Sequence, residues 1–151
     1  ACRARMELPT PRVALGLALR GVATAAIDIS DGLVGDLGHV LQRSGVGACI
    51  DTTIAINCIA CYAALARAGG LFDSETGLRW AQTAALSGGD DYELAFTAPP
   101  NRRAAVEAAG AATQTRVTRI GRIEAEPGLR LVDGQGQAAP LQLDSFDHFK
   151  N

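Results

Sequence analysis

Two short segments of the chain concentrate aspartates and glycines, residue types that hold divalent cations and polyphosphates. The first reads I-D-I-S-D-G-L over 27–33, with Asp28 near the end of a predicted strand and Asp31 in the turn before a helix. Carboxylates at the carboxyl end of a strand lie where open sheets bind ligands, and Mg²⁺ prefers one or two of them. The segment therefore indicates a magnesium site, unless Ser30 or Asp31 serves only to cap the helix.

The second segment reads G-G-D-D-Y-E-L over 88–94 and brings three carboxylates, Asp90, Asp91 and Glu93, close together. Its glycines allow a ligand to approach the main chain. On a strand, Asp91 and Glu93 would share one side, so only a subset of the three could meet one ligand. A plain turn followed by an edge strand stays open as the alternative.

An aromatic segment, S-F-D-H-F over 145–149, stands at the end of the chain. Its two phenylalanines could stack on a flat heterocycle or pack the tail onto the core. His148 could act as a general base, although a histidine hydrogen-bonded for structure is the commoner case. The segment by itself leaves these uses open.

Cys58 and Cys61 form a C-x-x-C pair. A zinc site would need a second pair or nearby histidines, and His39 and His148 lie far away in the sequence. We therefore predict reduced thiols on one face of a helix rather than a metal or redox site.

The composition is that of a globular domain, with 48% hydrophobic and 20% charged residues among 151. The net charge of -2 means that no basic excess would drive binding to nucleic acid or anionic lipid. No apolar stretch reaches the roughly 18 residues of a membrane span, and no signal segment opens the chain. We predict one soluble, cytoplasmic domain.

Helix and strand patterns alternate along the chain, and these elements must position the segments described above. Leu33, Leu37 and Leu41 share one face of a helix that Gly45 ends. Predicted helices cover 11–20, 31–44, 57–67, 75–86 and 101–109. Predicted strands cover 24–29, 46–51, 87–97, 115–123, 129–132 and 138–143. The predicted fold class is α/β or α+β, with a mixed β-sheet covered by helices.

The order of these segments resembles the C-terminal half of the bacterial thiamine-monophosphate kinase family. The resemblance runs from Pro11 to Phe149 and includes both carboxylate segments and the F-D-H-F ending. Further matching stretches are D-L-G-H-V at 36–40, S-G-V-G-A at 44–48, L-R-W-A at 78–81 and I-G-R-I at 120–123. The family belongs to the superfamily of aminoimidazole ribonucleotide synthetase and selenophosphate synthetase.

The resemblance implies that residues 1–151 are a single C-terminal domain of a two-domain kinase. The N-terminal domain, which this chain does not include, would carry most of the ATP and magnesium ligands and the interface of a homodimer. Asp28 and Asp31 match the family's magnesium ligands, and Ser30 matches a residue that contacts ATP. Asp90 stands where the family usually has a glutamate that contacts thiamine monophosphate, and Phe146 stands where an aromatic residue contacts the same substrate.

The implied reaction is ATP-dependent phosphorylation of thiamine monophosphate to thiamine diphosphate by direct in-line transfer, without a covalent nucleophile. Carboxylate-held Mg²⁺ would relieve the repulsion between a phosphate acceptor and a polyphosphate donor. The chain has no G-x-x-x-x-G-K-[ST] motif, which fits a nucleotide site without a P-loop. The isolated domain is expected to be inactive. The alternatives are another enzyme of the superfamily, which makes aminoimidazole ribonucleotide or selenophosphate, and a stand-alone ligand-binding domain.

Overall fold

The structure, a computed structural model, describes residues 8–56, 58, 75–89 and 92–139. Helices and strands alternate along these residues, as the sequence patterns predict. The helices are α1 (Val13–Ala18), α2 (Leu33–Ser44), α3 (Thr52–Ile56), α4 (Glu75–Ser87) and α5 (Arg103–Ala112), and a 3₁₀ turn (Pro100–Arg102) precedes α5. The strands are β1 (Ala25–Ile29), β2 (Gly47–Asp51), β3 (Glu93–Thr97), β4 (Gly121–Glu124) and β5 (Gly128–Val132).

The strands form two small sheets. β1 and β3 pair in an antiparallel sheet in which Asp28 lies opposite Leu94. In the other sheet β2 is central, with β4 antiparallel on one side and β5 parallel on the other. The predicted mixed sheet covered by helices is therefore confirmed as a class, although its strands are divided between two sheets.

α2 packs the main core against the three-stranded sheet. Leu33, Leu37 and Leu41 are all buried, as their spacing predicts, and they meet Ala48 and Ile50 of β2. Gly45 ends the helix in the left-handed conformation, with φ at 65°. Glycine adopts this conformation without the steric conflict that a Cβ introduces, so the predicted stop is confirmed.

A second core lies where α1 meets α5. Leu15 of α1 and Leu19, directly after it, are buried together with Ala109 of α5, and Phe96 of β3 packs against them. The helix predicted over 11–20 is therefore present but shorter. No helix among the described residues is long and apolar enough to cross a membrane.

Several predicted boundaries differ from the observed ones. The predicted strand over 87–97 begins only at Glu93, because α4 continues to Ser87. The predicted strand over 115–123 begins at Gly121. Of the return strand predicted over 138–143 only residues 138 and 139 are described, and within that part Ala138 forms one bridge to Val132. Nearly all of the helix predicted over 57–67 lies outside the described residues, and α3 forms directly before it. The Asp51 carboxylate accepts the main-chain N–H groups of residues 53 and 54, and these bonds start α3 at that point.

Candidate functional site

The first carboxylate segment forms the end of β1 and the turn that follows it. We call residues 30–32 the S-D-G turn. Exposure alternates along β1, so that Ala26 and Asp28 are exposed while Ala25, Ile27 and Ile29 are partly covered. The side chains of Ser30 and Asp31 are exposed as well. The residues predicted to hold magnesium and ATP are therefore all exposed, at the carboxyl end of a strand and in the turn after it.

Asp36, a buried residue in the first turn of α2, accepts hydrogen bonds from the S-D-G turn. Its Oδ2 atom accepts the main-chain N–H groups of Ser30 at 2.9 Å and of Asp31 at 3.1 Å. The N-cap position of α2 is Gly32, and no side chain caps the helix there. The predicted cap by Ser30 or Asp31 is therefore wrong. The two residues precede the cap position, and the hydrogen bonds run from their main chain to a carboxylate within the helix.

The second glycine segment packs directly on the S-D-G turn. We call residues 87–89 the glycine loop. Gly32 has a φ of 110°, and a Cβ built on it would lie 2.9 Å from the Cα atom of Ser87. A Cβ on Gly89 would lie 2.6 Å from the carbonyl oxygen of Ser30. Neither contact leaves room for a side chain, so the described parts of the two segments are brought together.

β3 continues the contact between the segments. The N–H group of Tyr92 donates to the carbonyl oxygen of Ile29 at 3.2 Å, and β3 then pairs with β1. Tyr92 has a φ of 51°, in the left-handed region, so the strand alternation begins only after it. The prediction that Asp91 and Glu93 share one side of a strand stays a prediction, because Asp91 lies outside the described residues.

Glu93 forms an ion pair with Arg12 that joins β3 to the start of α1. The Nε atom of Arg12 donates to Oε2 at 2.9 Å, and its terminal nitrogen donates to Oε1 at 2.7 Å. These hydrogen bonds are the main cause of a raised pKa of Arg12. Burial opposes them in part, and the charge of the Glu93 carboxylate adds a smaller increase. Two parallel bonds of this kind fix both partners. Glu93 therefore has a structural role here, although the sequence suggested a cluster of three carboxylates.

The remaining predicted site residues lie outside the described residues. They are Asp90 and Asp91 of the second segment, and Phe146 and His148 of the aromatic segment. Their roles stay predictions.

The carboxylates of the described residues suit Mg²⁺ as a partial set of ligands. Asp28 and Asp31 supply two oxygen donors at an exposed edge, and Mg²⁺ usually takes one or two carboxylates and completes its octahedron with water and phosphate oxygens. No group of three or more histidine, cysteine, aspartate or glutamate side chains that could hold a metal occurs among the described residues. The donor chemistry therefore fits a cation that is shared with a phosphorylated ligand.

The described cysteines are free thiols. Cys49 is buried in β2, and the Cys58 sulfur lies 3.9 Å from the carbonyl oxygen of Ile54, one helical turn earlier. Loss of water around the sulfur raises the pKa of the Cys58 thiol. A raised pKa disfavours the thiolate, the form that binds metals and attacks disulfides. Cys61 lies outside the described residues, so the prediction for the pair stays a prediction.

Residues 3–134 match the protein family described as AIR synthase related protein, C-terminal domain. This range includes the S-D-G turn, the glycine loop and both sheets. The chain belongs to this family. The AIR synthase related fold thus accounts for the predicted mixed sheet and helices.

Relatives of this AIR synthase related domain are named thiamine-monophosphate kinase, which confirms the resemblance seen in the sequence. The protein of that name from Salmonella typhimurium strain LT2 is 41% identical, over 93% of this chain and 40% of its own length. The one from Haemophilus influenzae is 38% identical, over 94% of this chain and 41% of its own length. The chain thus spans about two fifths of the curated relatives that it matches.

Solved structures show the same relationship. The crystal structure of thiamine-monophosphate kinase from Stenotrophomonas maltophilia K279a is 38% identical with a TM-score of 0.68, over 91% of this chain and 39% of that one. A structure described as AaThiL complexed with AMPPCP and TMP is 28% identical with a TM-score of 0.64, over 97% of this chain and 40% of that one.

The sequence reasoning missed two residues that shape the site of this AIR synthase related domain. Asp36 carries a signal that could have found it, because a charged residue stands on the helix face defined by Leu33 and Leu37. Arg12 carries no comparable local signal, since its partner lies 81 residues away in the sequence.

Proposed function

We propose that the chain is the C-terminal domain of an ATP-dependent kinase that phosphorylates thiamine monophosphate to thiamine diphosphate. The names of its relatives support this proposal, and so does the neighbour complexed with AMPPCP, an analogue of ATP, and TMP. The proposal includes an N-terminal domain that carries most of the ATP and magnesium ligands, and a homodimer of the complete enzyme. It also includes a cytoplasmic location, which stays a prediction from the sequence.

The observation that carries the proposal is the packing of the glycine loop on the S-D-G turn. Gly32 contacts the Ser87 main chain, and Gly89 contacts the Ser30 carbonyl oxygen. The first segment contributes the exposed carboxylates, and the second leads towards Asp90. An arrangement that joins a metal-binding edge to a substrate-binding segment is what transfer between two phosphorylated molecules requires.

The roles of the S-D-G turn follow from the chemistry of phosphoryl transfer. Both reactants carry negative charge, and catalysis of this reaction consists mostly of positioning and charge neutralisation. Mg²⁺, when bound, supplies the positive charge that draws the phosphate oxygens together. Asp28 and Asp31 would hold that ion, and Ser30 would contact ATP from the same exposed turn. Because positioning and charge neutralisation suffice, no covalent nucleophile is needed, and the phosphoryl group is transferred directly and in line.

Asp90 and Phe146 would bind the substrate. Asp90 would contact thiamine monophosphate with a side chain one methylene shorter than the glutamate usual in the family. Phe146 would lie against a flat ring of the vitamin, where stacking or cation–π attraction to the thiazolium adds about 0.5–2 kcal/mol.

A chimaeric enzyme tests the proposal directly. The N-terminal part of the Salmonella typhimurium enzyme, which this chain does not cover, is joined to residues 1–151. We expect ATP-dependent formation of thiamine diphosphate by the chimaera and no turnover by residues 1–151 alone. The Mg²⁺ ions that neutralise two phosphorylated reactants need more ligands than Asp28 and Asp31 can supply.

Two controls sharpen this test. The acceptors of the two related synthetases are offered in place of thiamine monophosphate, and preferred turnover of either would assign the chain to that enzyme instead. Asp133 provides a matched control, because its carboxylate also lies in a turn and accepts main-chain N–H groups there. Asp133→Asn should leave the chimaera active, whereas Asp31→Asn should inactivate it. A folded chimaera that transfers phosphate to none of these acceptors would refute the kinase assignment.

A further inference from the structure

Asp36 is a buried charged residue at a position that ordinary helix packing does not explain. Only 6% of its surface is exposed, and no other charged residue is buried among those whose side chains the structure describes. It stands on the face of α2 that carries Leu33 and Leu37. Burial of a carboxylate is unfavourable unless hydrogen-bond donors surround it. The groups that donate hydrogen bonds to Asp36 therefore indicate the role of its buried carboxylate.

Those donors are two consecutive main-chain N–H groups of the S-D-G turn. One carboxylate oxygen, Oδ2, accepts from Ser30 at 2.9 Å and from Asp31 at 3.1 Å. Both N–H groups thus point into the protein, while the side chains of Ser30 and Asp31 are exposed. The carboxylate orients the main chain at the two residues whose side chains face outwards.

Gly32 restrains the same turn in a different way. Its main chain lies against that of Ser87, so packing limits how far the end of the turn can move. Packing alone does not orient a peptide group, whereas a hydrogen bond weakens steeply when its angle changes. The orientation of residues 30–31 therefore depends on Asp36.

We infer that Asp36 is a positioning residue, which holds the main chain of residues 30–31 so that Asp31 can bind a divalent cation without rearrangement. The inference rests on the metal role of Asp28 and Asp31 in the proposed function. Residues that orient the ligands of a metal typically account for ~10- to 100-fold in metal affinity. A carboxylate that only stabilised α2 would change the melting temperature and leave cation binding unaltered.

Binding of Mn²⁺, a paramagnetic substitute for Mg²⁺, tests the inference without any assay of activity in the chimaera described above, whose N-terminal part supplies the remaining magnesium ligands. The dissociation constant is measured from the loss of the free-ion electron paramagnetic resonance signal. Asp36→Ala removes the acceptor, Asp36→Glu keeps the charge but displaces the oxygens, and Asp36→Asn keeps an acceptor oxygen without the charge. We expect the dissociation constant to rise about 10-fold or more for the alanine and glutamate variants, and less than about 3-fold for the asparagine variant.

Asp51 provides a matched control. Its carboxylate also accepts two main-chain N–H groups, those of Thr53 and Ile54, but at the start of α3. Asp51→Ala should leave Mn²⁺ binding unchanged. Amide hydrogen exchange adds a direct readout of the turn: exchange at Ser30 and Asp31 should become faster in Asp36→Ala and stay as it is in Asp51→Ala.

The outcomes separate the inference from the proposed function. Equal Mn²⁺ affinity in the wild-type chain and in Asp36→Glu would overturn the inference alone, and this comparison still holds if Asp36→Ala does not fold. Weak binding by Asp36→Asn together with normal binding by Asp36→Glu would also overturn it, because charge rather than position would then matter. If the chimaera with the wild-type chain bound no Mn²⁺ that Asp31→Asn releases, the metal assignment itself would fail, and the inference with it.

Discussion

Replacement of Gly32 by alanine tests whether the contact between the S-D-G turn and the glycine loop holds the site together. The residue has a φ of 110°, outside the regions that side chains allow, and a Cβ there would lie 2.9 Å from the carbonyl carbon and the Cα atom of Ser87. Strained main-chain conformations cost about 1–3 kcal/mol. Overpacking of a filled space costs about 1–3 kcal/mol more. Gly32→Ala should therefore lower the free energy of unfolding by about 2–6 kcal/mol, a large part of the stability of a domain this size.

Two other glycines separate the causes of this loss. Gly45 has a φ of 65°, and no atom lies within 4 Å of the place that a Cβ would take, so Gly45→Ala should show the conformational cost alone, about 1 kcal/mol. Gly38 lies inside α2 with equally open surroundings. Gly38→Ala should leave stability unchanged or raise it by about 0.5–1 kcal/mol.

Urea denaturation of the 151-residue chain, followed by circular dichroism, gives the free energy of unfolding for all three variants. The expected order of loss is Gly32, then Gly45, then Gly38. If Gly32→Ala cost no more than Gly45→Ala, the close approach to Ser87 would not be a real restraint, and the two segments would not be held together as one site.

Three further predictions concern charged residues. In the chimaeric kinase, Asp31→Asn should lower kcat by about 100-fold or more and leave the melting temperature unchanged, because the amide keeps the size of the side chain but not its charge. A normal kcat at saturating Mg²⁺ would contradict the metal role. The hydrogen bond from the Thr53 hydroxyl is the main cause of a lowered pKa of Asp51. The contribution of Asp51 to stability is therefore present above the pKa of the unfolded state, about 4, and is lost as the pH falls through the lower pKa of the folded state. Urea titrations at a series of pH values should therefore show a steeper loss of stability below about pH 5 in the wild type than in Asp51→Asn, and parallel curves would contradict this. Arg12→Lys should lower the free energy of unfolding by about 1 kcal/mol in the same denaturation assay, because lysine cannot form both bonds to Glu93. An unchanged value would show that the pair has no net effect.

Local patterns predict most of the elements but not their ends. The spacing of Leu33 and Leu37 and the position of Gly45 predict α2, and the helix lies where expected. The strand pattern predicts that β3 begins at residue 87, and it begins at Glu93. The glycines and aspartates before β3 carry no apolar alternation, so only the pairing with β1 defines where the strand begins.

The sequence predicts the candidate site in part. It places Asp28, Ser30 and Asp31 at the end of a strand and in the turn after it, which the structure bears out. It allows a cap on α2 by Ser30 or Asp31, in which a side-chain oxygen of one of these residues would accept the hydrogen bond, and this is wrong. Instead their N–H groups are the donors, and a buried carboxylate is the acceptor. An aspartate on an apolar helix face gives no indication of its partner until the turn is folded against it.

The sequence by itself determined the element types, the core face of α2 and the two segments that carry carboxylates and glycines. These features depend on side-chain periodicity and on main-chain freedom within a few residues, so they can be predicted without knowledge of any long-range contact. Only the tertiary structure decided that Gly89 lies against Ser30 and that Arg12 bonds to Glu93 across 81 residues of chain. Such contacts arise from the way β1 and β3 pair, and their strength depends on distances and burial that no local pattern encodes.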